Sequence, residues 1–139
     1  MTELHTCPCC GYKVFPDRPG SYDICPICFW EDDMVQLAFP DLSGGANKVS
    51  LISGQASFIL YGVSEERFSR NVRRPKDTDI RDILWRPINV ESDRLLSWGN
   101  SEDHQKWDSV KGEDLGSRIY YWSSEYWLNK NAPLIRRSS

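Results

Sequence analysis

Four cysteines near the start of the chain form two CxxC pairs, a pattern that indicates metal binding where thiols stay reduced. The pairs are Cys7 with Cys10 and Cys25 with Cys28, with 14 residues between them. This spacing fits a tight turn that aims two sulfurs at one point, and Gly11 permits the positive φ that such a turn needs. Two turns face to face would give a tetrahedral thiolate set. The spacing therefore predicts a metal site with zinc as the expected ion, and geometry alone leaves iron open.

The predicted site is structural, because four sulfurs leave no open coordination position for catalysis. Metal binding should then supply folding free energy on the order of 10 kcal/mol. We expect the remaining cysteine, Cys9, to point away from the metal; the alternatives are a further metal ligand and a reactive or redox-sensing thiol. Trp30, just after the second pair, is expected to cover the sulfurs.

No catalytic motif accompanies the cysteines. His5 and His104 are the only histidines, and neither has a nucleophile motif around it. Gly44-Gly45 lacks the following lysine and Ser/Thr of a phosphate-binding loop. We therefore expect a binding protein and not an enzyme.

Composition narrows the class of partner. The 139 residues are 27% charged and 40% hydrophobic, with a net charge of -3. Residues 1–75 carry 9 acidic and 7 basic side chains, and residues 76–139 carry 11 and 10, which disfavours nucleic acid as a ligand. No apolar run approaches the roughly 20 residues that span a bilayer, and the first residues do not resemble a signal peptide. The expectation is a cytoplasmic protein without a membrane partner.

A hairpin-like ribbon of two short strands is expected to position the cysteine pairs. Helices are predicted after the ribbon. Short strands are expected at 12–15 and 21–24, on either side of a proline-rich loop. Ser50 and Gly62 predict the start and end of a helix over 51–61, and a second short helix is expected over 64–72.

The composition of the chain changes after Pro75, since five of the six tryptophans follow it. This change predicts a metal-binding module over 1–75 and a tryptophan-rich extension over 76–139 that packs on the module. The expected class is α+β, with a small zinc-ribbon-like module, one or two helices and an extension that contains strands. Apolar and aromatic runs predict these strands at 80–85, 95–98, 118–122 and 126–128. A helix is an alternative prediction for the segments 118–122 and 126–128, because Leu115, Ile119, Trp122 and Tyr126 also have helical spacing. A mobile tail is expected from Pro133.

Acidic and aromatic side chains form the predicted partner surface. The candidate contact residues are Glu31, Asp32, Asp33, Trp98, Trp107 and Trp122. Tryptophan and tyrosine dominate binding hot spots, and an acidic run would suit a basic partner.

The first half of the chain resembles the bacterial cysteine-rich CPCC family. The matching residues are Cys7-Pro8-Cys9-Cys10-Gly11-Tyr12, the run from Ile24 to Asp33, Gln36, Gly44 to Asn47, Val49-Ser50-Leu51, Phe58 and Arg67-Phe68. The resemblance implies a small metal-binding protein of the kind encoded beside polymorphic toxins. It would act as an immunity protein against a cognate toxin domain, with a basic nuclease as one expected partner. A nucleic-acid-binding zinc ribbon is the alternative, suggested by Arg70, Arg73, Arg74 and Lys76.

Overall fold

The computed structural model describes residues 3–130, and its fold is α+β, as predicted. The strands are β1 (His5–Thr6) and β2 (Lys13–Phe15), and the helices are α1 (Met34–Ala38), α2 (Leu51–Tyr61), α3 (Ser101–Val110) and α4 (Trp127–Lys130). Two 3-10 turns span Glu66–Phe68 and Gly116–Ile119. Within residues 3–130 no helix has the length and apolar character to cross a membrane. The tail expected from Pro133 lies outside the described residues.

The ribbon forms, but with a different strand pairing from the predicted one. β1 and β2 are antiparallel, with His5 opposite Phe15 and Thr6 opposite Lys13. The first cysteine turn folds the chain back on itself, so the residues on either side of that turn pair. The strand predicted over 21–24 is wrong, because Ile24 makes only an isolated bridge to Glu31.

Helix α2 has the predicted bounds because both of its ends are encoded locally. The Ser50 hydroxyl accepts a hydrogen bond from the Ser53 N–H (3.1 Å), and Gly62 ends the helix in the left-handed region at φ 77°. The second predicted helix is wrong in extent, since only the 3-10 turn Glu66–Phe68 forms.

A fully buried glutamine holds the loop between α1 and α2. The two N–H groups of the Gln36 amide are shared among the carbonyls of Leu42 (2.9 Å), Asn47 (3.1 Å) and Val49 (3.0 Å). Its oxygen accepts from the backbone and side-chain N–H groups of Asn47, both at 2.9 Å. One side chain thus replaces the regular backbone pairing that this loop lacks.

The extension contains loops and short helices instead of the predicted strands, and the helix left open for its last part is present as the 3-10 turn Gly116–Ile119 and α4. Residues 76–130 hold α3, α4 and a 3-10 turn, and the only strand-like pairing in this range is a single bridge between Arg81 and Tyr12. The strand predictions are therefore wrong. The aromatic residues serve instead as core, because buried Trp107, Tyr121 and Trp127 join the same apolar cluster as the cysteines.

Gln55 of α2 joins the two parts of the chain. Its amide nitrogen donates to the carbonyl of Pro8 (2.8 Å) and to the hydroxyl of Tyr121 (2.9 Å), and its oxygen accepts from the N–H of Ile88 (2.8 Å). The side chain is buried, so these bonds form away from competing water. The extension is consequently fixed against the cysteine turns by directional bonds as well as by apolar packing.

Candidate metal centre

The four cysteines of the two CxxC pairs meet at one point. The sulfurs of Cys7, Cys10, Cys25 and Cys28 all lie within 4.8 Å of one another, and each residue is 0% exposed. Sγ of Cys7 is 3.6 Å from Sγ of Cys28, and Sγ of Cys10 is 3.8 Å from Sγ of Cys25. A tetrahedral zinc ion with bonds of about 2.3 Å requires sulfurs about 3.8 Å apart. These four residues could therefore hold one metal ion.

The two cysteine turns repeat one backbone pattern. The N–H groups of Gly11 and Phe29 donate to the carbonyls of the first cysteine of each turn, at 2.8 and 2.9 Å. Both residues have positive φ, 84° for Gly11 and 69° for Phe29. Such a φ is unfavourable for a phenylalanine, and Phe29 packs its ring 4.5 Å from that of Phe68. The requirement of the turn thus overrides the local preference of residue 29.

Backbone dipoles point at one of the four candidate ligand sulfurs, that of Cys25. The N–H groups of Ile27 and Cys28 both lie 3.4 Å from Sγ of Cys25 and donate to it. Burial raises the pKa of the Cys7 and Cys28 thiols. Burial also acts to raise the pKa of Cys25, but hydrogen bonds from Cys10 and the other cysteines outweigh it and lower that pKa. Four buried thiols cannot all ionise without a compensating cation, so the arrangement suits a bound metal ion.

The extension covers the first cysteine turn, a contact that sequence reasoning missed. We call residues 80–85 the cover segment. Its Trp85 indole N–H donates to the carbonyl of Pro8 (2.9 Å), and Nε of Arg81 donates to that of Cys10 (3.1 Å). The N–H of Asp82 donates to the carbonyl of Gly11 (2.8 Å). The cover segment thus satisfies three carbonyls of the turn and shields it from water.

Gly11 is required by this cover as well as by its φ. A Cβ built on Gly11 would lie 2.5 Å from Cε3 of Trp85, closer than real atoms approach. The Arg81 guanidinium lies 5.0 Å from the ring centroids of both Tyr12 and Trp85. Arg81 and Trp85 follow Cys10 by 71 and 75 residues, so the sequence near the cysteines gives no signal of this role.

Cys9 is not one of the four clustered sulfurs, although its thiol interacts with that of Cys28. It is 0% exposed, and burial raises the pKa of its thiol. A Cβ built on Gly54 of α2 would lie 3.3 Å from Sγ of Cys9 and 3.2 Å from Cζ3 of Trp30. Trp30 is itself 0% exposed, so the glycine, the indole and the fifth cysteine form one tight contact beside the metal centre.

Two of the three predicted acidic contact residues are buried. Asp32 is 3% exposed and accepts hydrogen bonds from the N–H (3.2 Å) and hydroxyl (2.8 Å) of Ser21. Asp33 is 5% exposed; its carboxylate caps α1 and accepts from the N–H of Ala46 (2.9 Å). Both carboxylates are therefore engaged in folding these turns and expose little surface, and their role as partner contacts stays a prediction. Glu31 is half-buried.

The three tryptophans predicted as partner contacts differ in their exposure to solvent. Trp107 is 7% exposed and packs near Trp127, with ring centroids 6.4 Å apart, so it belongs mainly to the core. Trp122 is half-buried, and Trp98 is 44% exposed. Trp98 and Trp122 therefore retain surface that a partner can reach.

With four buried thiols around one point, the protein has a candidate structural metal centre. Comparison with protein-family models matches residues 5–79 to the family described as Cysteine-rich CPCC. The chain belongs to the cysteine-rich CPCC family. No curated protein matches the sequence.

Proposed function

We propose that this chain is a zinc-stabilised immunity protein that neutralises a cognate bacterial toxin in the cytoplasm by binding it directly. The observation that carries the binding role is the complete burial of all four sulfurs. A metal held there has no position for a substrate or water, so its role is to stabilise the fold. The rest of the molecule is then a scaffold whose function is recognition and not catalysis.

The setting of Trp98 supports recognition by this scaffold. The Asp41 carboxylate accepts hydrogen bonds from the hydroxyl of Ser97 (2.7 Å) and the N–H of Trp98 (2.9 Å). The Trp98 ring packs edge-on against Phe39, with centroids 5.2 Å apart, yet 44% of the residue is exposed. A partly exposed indole that is already fixed in place loses little conformational entropy on binding, which favours tight association.

A toxin is proposed as the partner because the family resemblance implies it, and the net charge of -3 suits a basic toxin domain such as a nuclease. Nucleic acid is a weaker candidate. Of the connector residues Arg70, Arg73, Arg74 and Lys76, Arg73 makes a bidentate pair with Asp79 at 2.7 and 2.9 Å. This guanidinium group is already engaged within the chain, which reduces the charge available for phosphates.

Co-expression with the neighbouring toxin gene tests the proposal. The chain should protect cells and should be recovered with the toxin by affinity capture. Trp98→Ala should weaken capture, whereas Tyr61→Ala, which removes another exposed aromatic side chain (53% exposed), should not. Recovery of the folded, metal-bound chain alone, with no protection of cells, would contradict the proposal.

A further inference from the structure

The two cysteine turns are not stabilised equally by their own backbone. In the second turn, the N–H groups of Ile27 and Cys28 donate to Sγ of Cys25. In the part of the chain that the structure describes, no N–H group donates to Sγ of Cys7 or Cys10. Such hydrogen bonds favour the charged thiolate that binds a metal ion. The first turn therefore depends more on contacts from elsewhere in the chain.

The cover segment supplies most of those contacts. One hydrogen bond to a carbonyl of the first turn comes from each of Arg81, Asp82 and Trp85. Among the described residues, the one further donor to these carbonyls from outside the turn is Gln55 of α2. The match to the family ends at residue 79, so the three bonds of the cover segment come from a part of the chain that lies outside the matched residues.

An ion pair ties the start of the cover segment to the second turn. The N–H of Arg73 donates to the carbonyl of Pro26 in that turn (3.0 Å), and the Arg73 guanidinium binds the Asp79 carboxylate through two bonds of 2.7 and 2.9 Å. Asp79 directly precedes Ile80, whose carbonyl accepts from the N–H of Lys13 (2.9 Å) just after the first turn. The cover segment is thus attached at both cysteine turns.

We propose that the cover segment is a latch on the metal centre, so that a metal ion bound by the four cysteines is released only after this segment lifts from the first turn. Arg81 and Trp85 are then positioning residues of the metal centre, because they act through the carbonyls of Pro8 and Cys10. The extension consequently controls how long the chain retains its metal. The inference rests on the metal centre of the proposed function and is independent of the immunity role.

Transfer of zinc from the loaded, full-length chain to an excess of the chelator pyridylazoresorcinol measures the rate of release. Trp85→Phe removes the indole N–H that donates to Pro8 but keeps an aromatic ring. Release should become about two- to tenfold faster, which is the change expected for one lost hydrogen bond. The matched control Trp98→Phe, at an exposed tryptophan outside the cover segment, should leave the rate unchanged. Equal rates for Trp85→Phe and the wild-type chain would overturn the proposal.

A variant with a weakened core separates a latch from a general effect on stability. Ile119→Val removes one methylene group from a buried position of the extension (5% exposed) and lowers the free energy of unfolding without removing a bond to the first turn. The rate of zinc release should stay the same in this variant. If release instead followed the free energy of unfolding in both Ile119→Val and Trp85→Phe, metal loss would require unfolding of the whole chain, and the latch would be refuted.

Hydrogen exchange reports directly on opening of the latch. The N–H of Asp82 donates to the carbonyl of Gly11 (2.8 Å), so it exchanges when the cover segment lifts. In the zinc-loaded chain, Trp85→Phe should raise the exchange rate of this N–H by the same factor as the rate of zinc release. The N–H of Ser64, which donates to Cys28 in the second turn (2.7 Å), should exchange as in the wild-type chain. Faster zinc release with unchanged exchange at Asp82 would contradict the latch.

The attachment at the second turn is tested by Asp79→Asn, which weakens the pair with Arg73. Zinc release should become about twofold faster or more. Asp77→Asn makes the same change of charge at an exposed neighbouring site and should not alter the rate. Equal rates in these two variants would exclude the ion pair from the latch.

Failure of the latch and failure of the metal centre give different results. A chain that binds one zinc ion but releases it at the same rate in Trp85→Phe, Asp79→Asn and the wild type has the metal centre and lacks the latch. A folded chain that binds no zinc would refute the metal centre, and the latch with it.

Discussion

Replacement of Gln55 by alanine should weaken the contact between the extension and the cysteine module, and so lower the free energy of unfolding. Three partners lose a bond, but they are not affected equally. The Pro8 carbonyl keeps its bond from the Trp85 indole, and the Tyr121 hydroxyl keeps its bond to the carbonyl of Arg86. The N–H of Ile88 has Gln55 as its acceptor and is left without it.

The magnitude follows from this difference. A buried donor left without an acceptor costs about 1 to 3 kcal/mol, and each of the two other lost bonds costs about 0.5 to 1.5 kcal/mol. Gln55→Ala should therefore lower the free energy of unfolding by about 2 to 6 kcal/mol. Gln105→Ala, which removes an exposed glutamine from α3, is the matched control and should change it by less than about 0.5 kcal/mol.

Urea unfolding at a fixed free zinc concentration measures both variants. Tryptophan fluorescence reports mainly on the extension, which has five of the six tryptophans, and far-ultraviolet circular dichroism reports on the helices. The wild-type chain should give coincident transitions by the two probes. A loss below about 1 kcal/mol for Gln55→Ala would refute the reasoning, because the bonds from Gln55 would then contribute little.

Three further substitutions test local features of the fold. Gly54→Ala should lower stability despite a helix-propensity gain of about 1 kcal/mol, because its Cβ would press on buried Trp30 and Cys9. Ala56→Gly, on the exposed face of α2, measures the size of that propensity gain. A Gly54→Ala variant more stable than the wild-type chain would contradict the packing. Cys9→Ala should keep one metal ion per chain by elemental analysis, whereas Cys10→Ser should lose it; metal loss in both would make Cys9 a ligand. Tyr22→Asn should raise the thermal midpoint, because exposed Tyr22 has φ 62°, which asparagine tolerates better. The gain in free energy of unfolding should reach up to about 1 kcal/mol. A lower midpoint would contradict this expectation.

Features encoded by neighbouring residues were predictable from the sequence. The bounds of α2 follow from Ser50 and Gly62, which contact their own helix ends. The four metal-site cysteines follow from spacing within each pair, since each turn is built within five residues. Both predictions depend on short-range geometry that a single sequence displays directly.

Features that depend on distant partners were not predictable. β2 pairs with residues before the first cysteine turn, and the aromatic runs of the extension pack around loops and short helices instead of forming strands. The roles of Gln36 and Gln55 have no sequence signature, because their partners are backbone groups scattered along the chain. The burial of Asp32 and Asp33 was not predictable for a related reason, because a carboxylate that caps a helix and one that lies on the surface are the same residue type.

X-ray absorption at the zinc edge, on reduced protein purified without added metal, tests the central claim most directly. We predict one zinc ion per chain with four sulfur neighbours at about 2.3 Å and no lighter ligand. Absence of stoichiometric metal from the folded chain, or a first shell that contains nitrogen or oxygen, would contradict it.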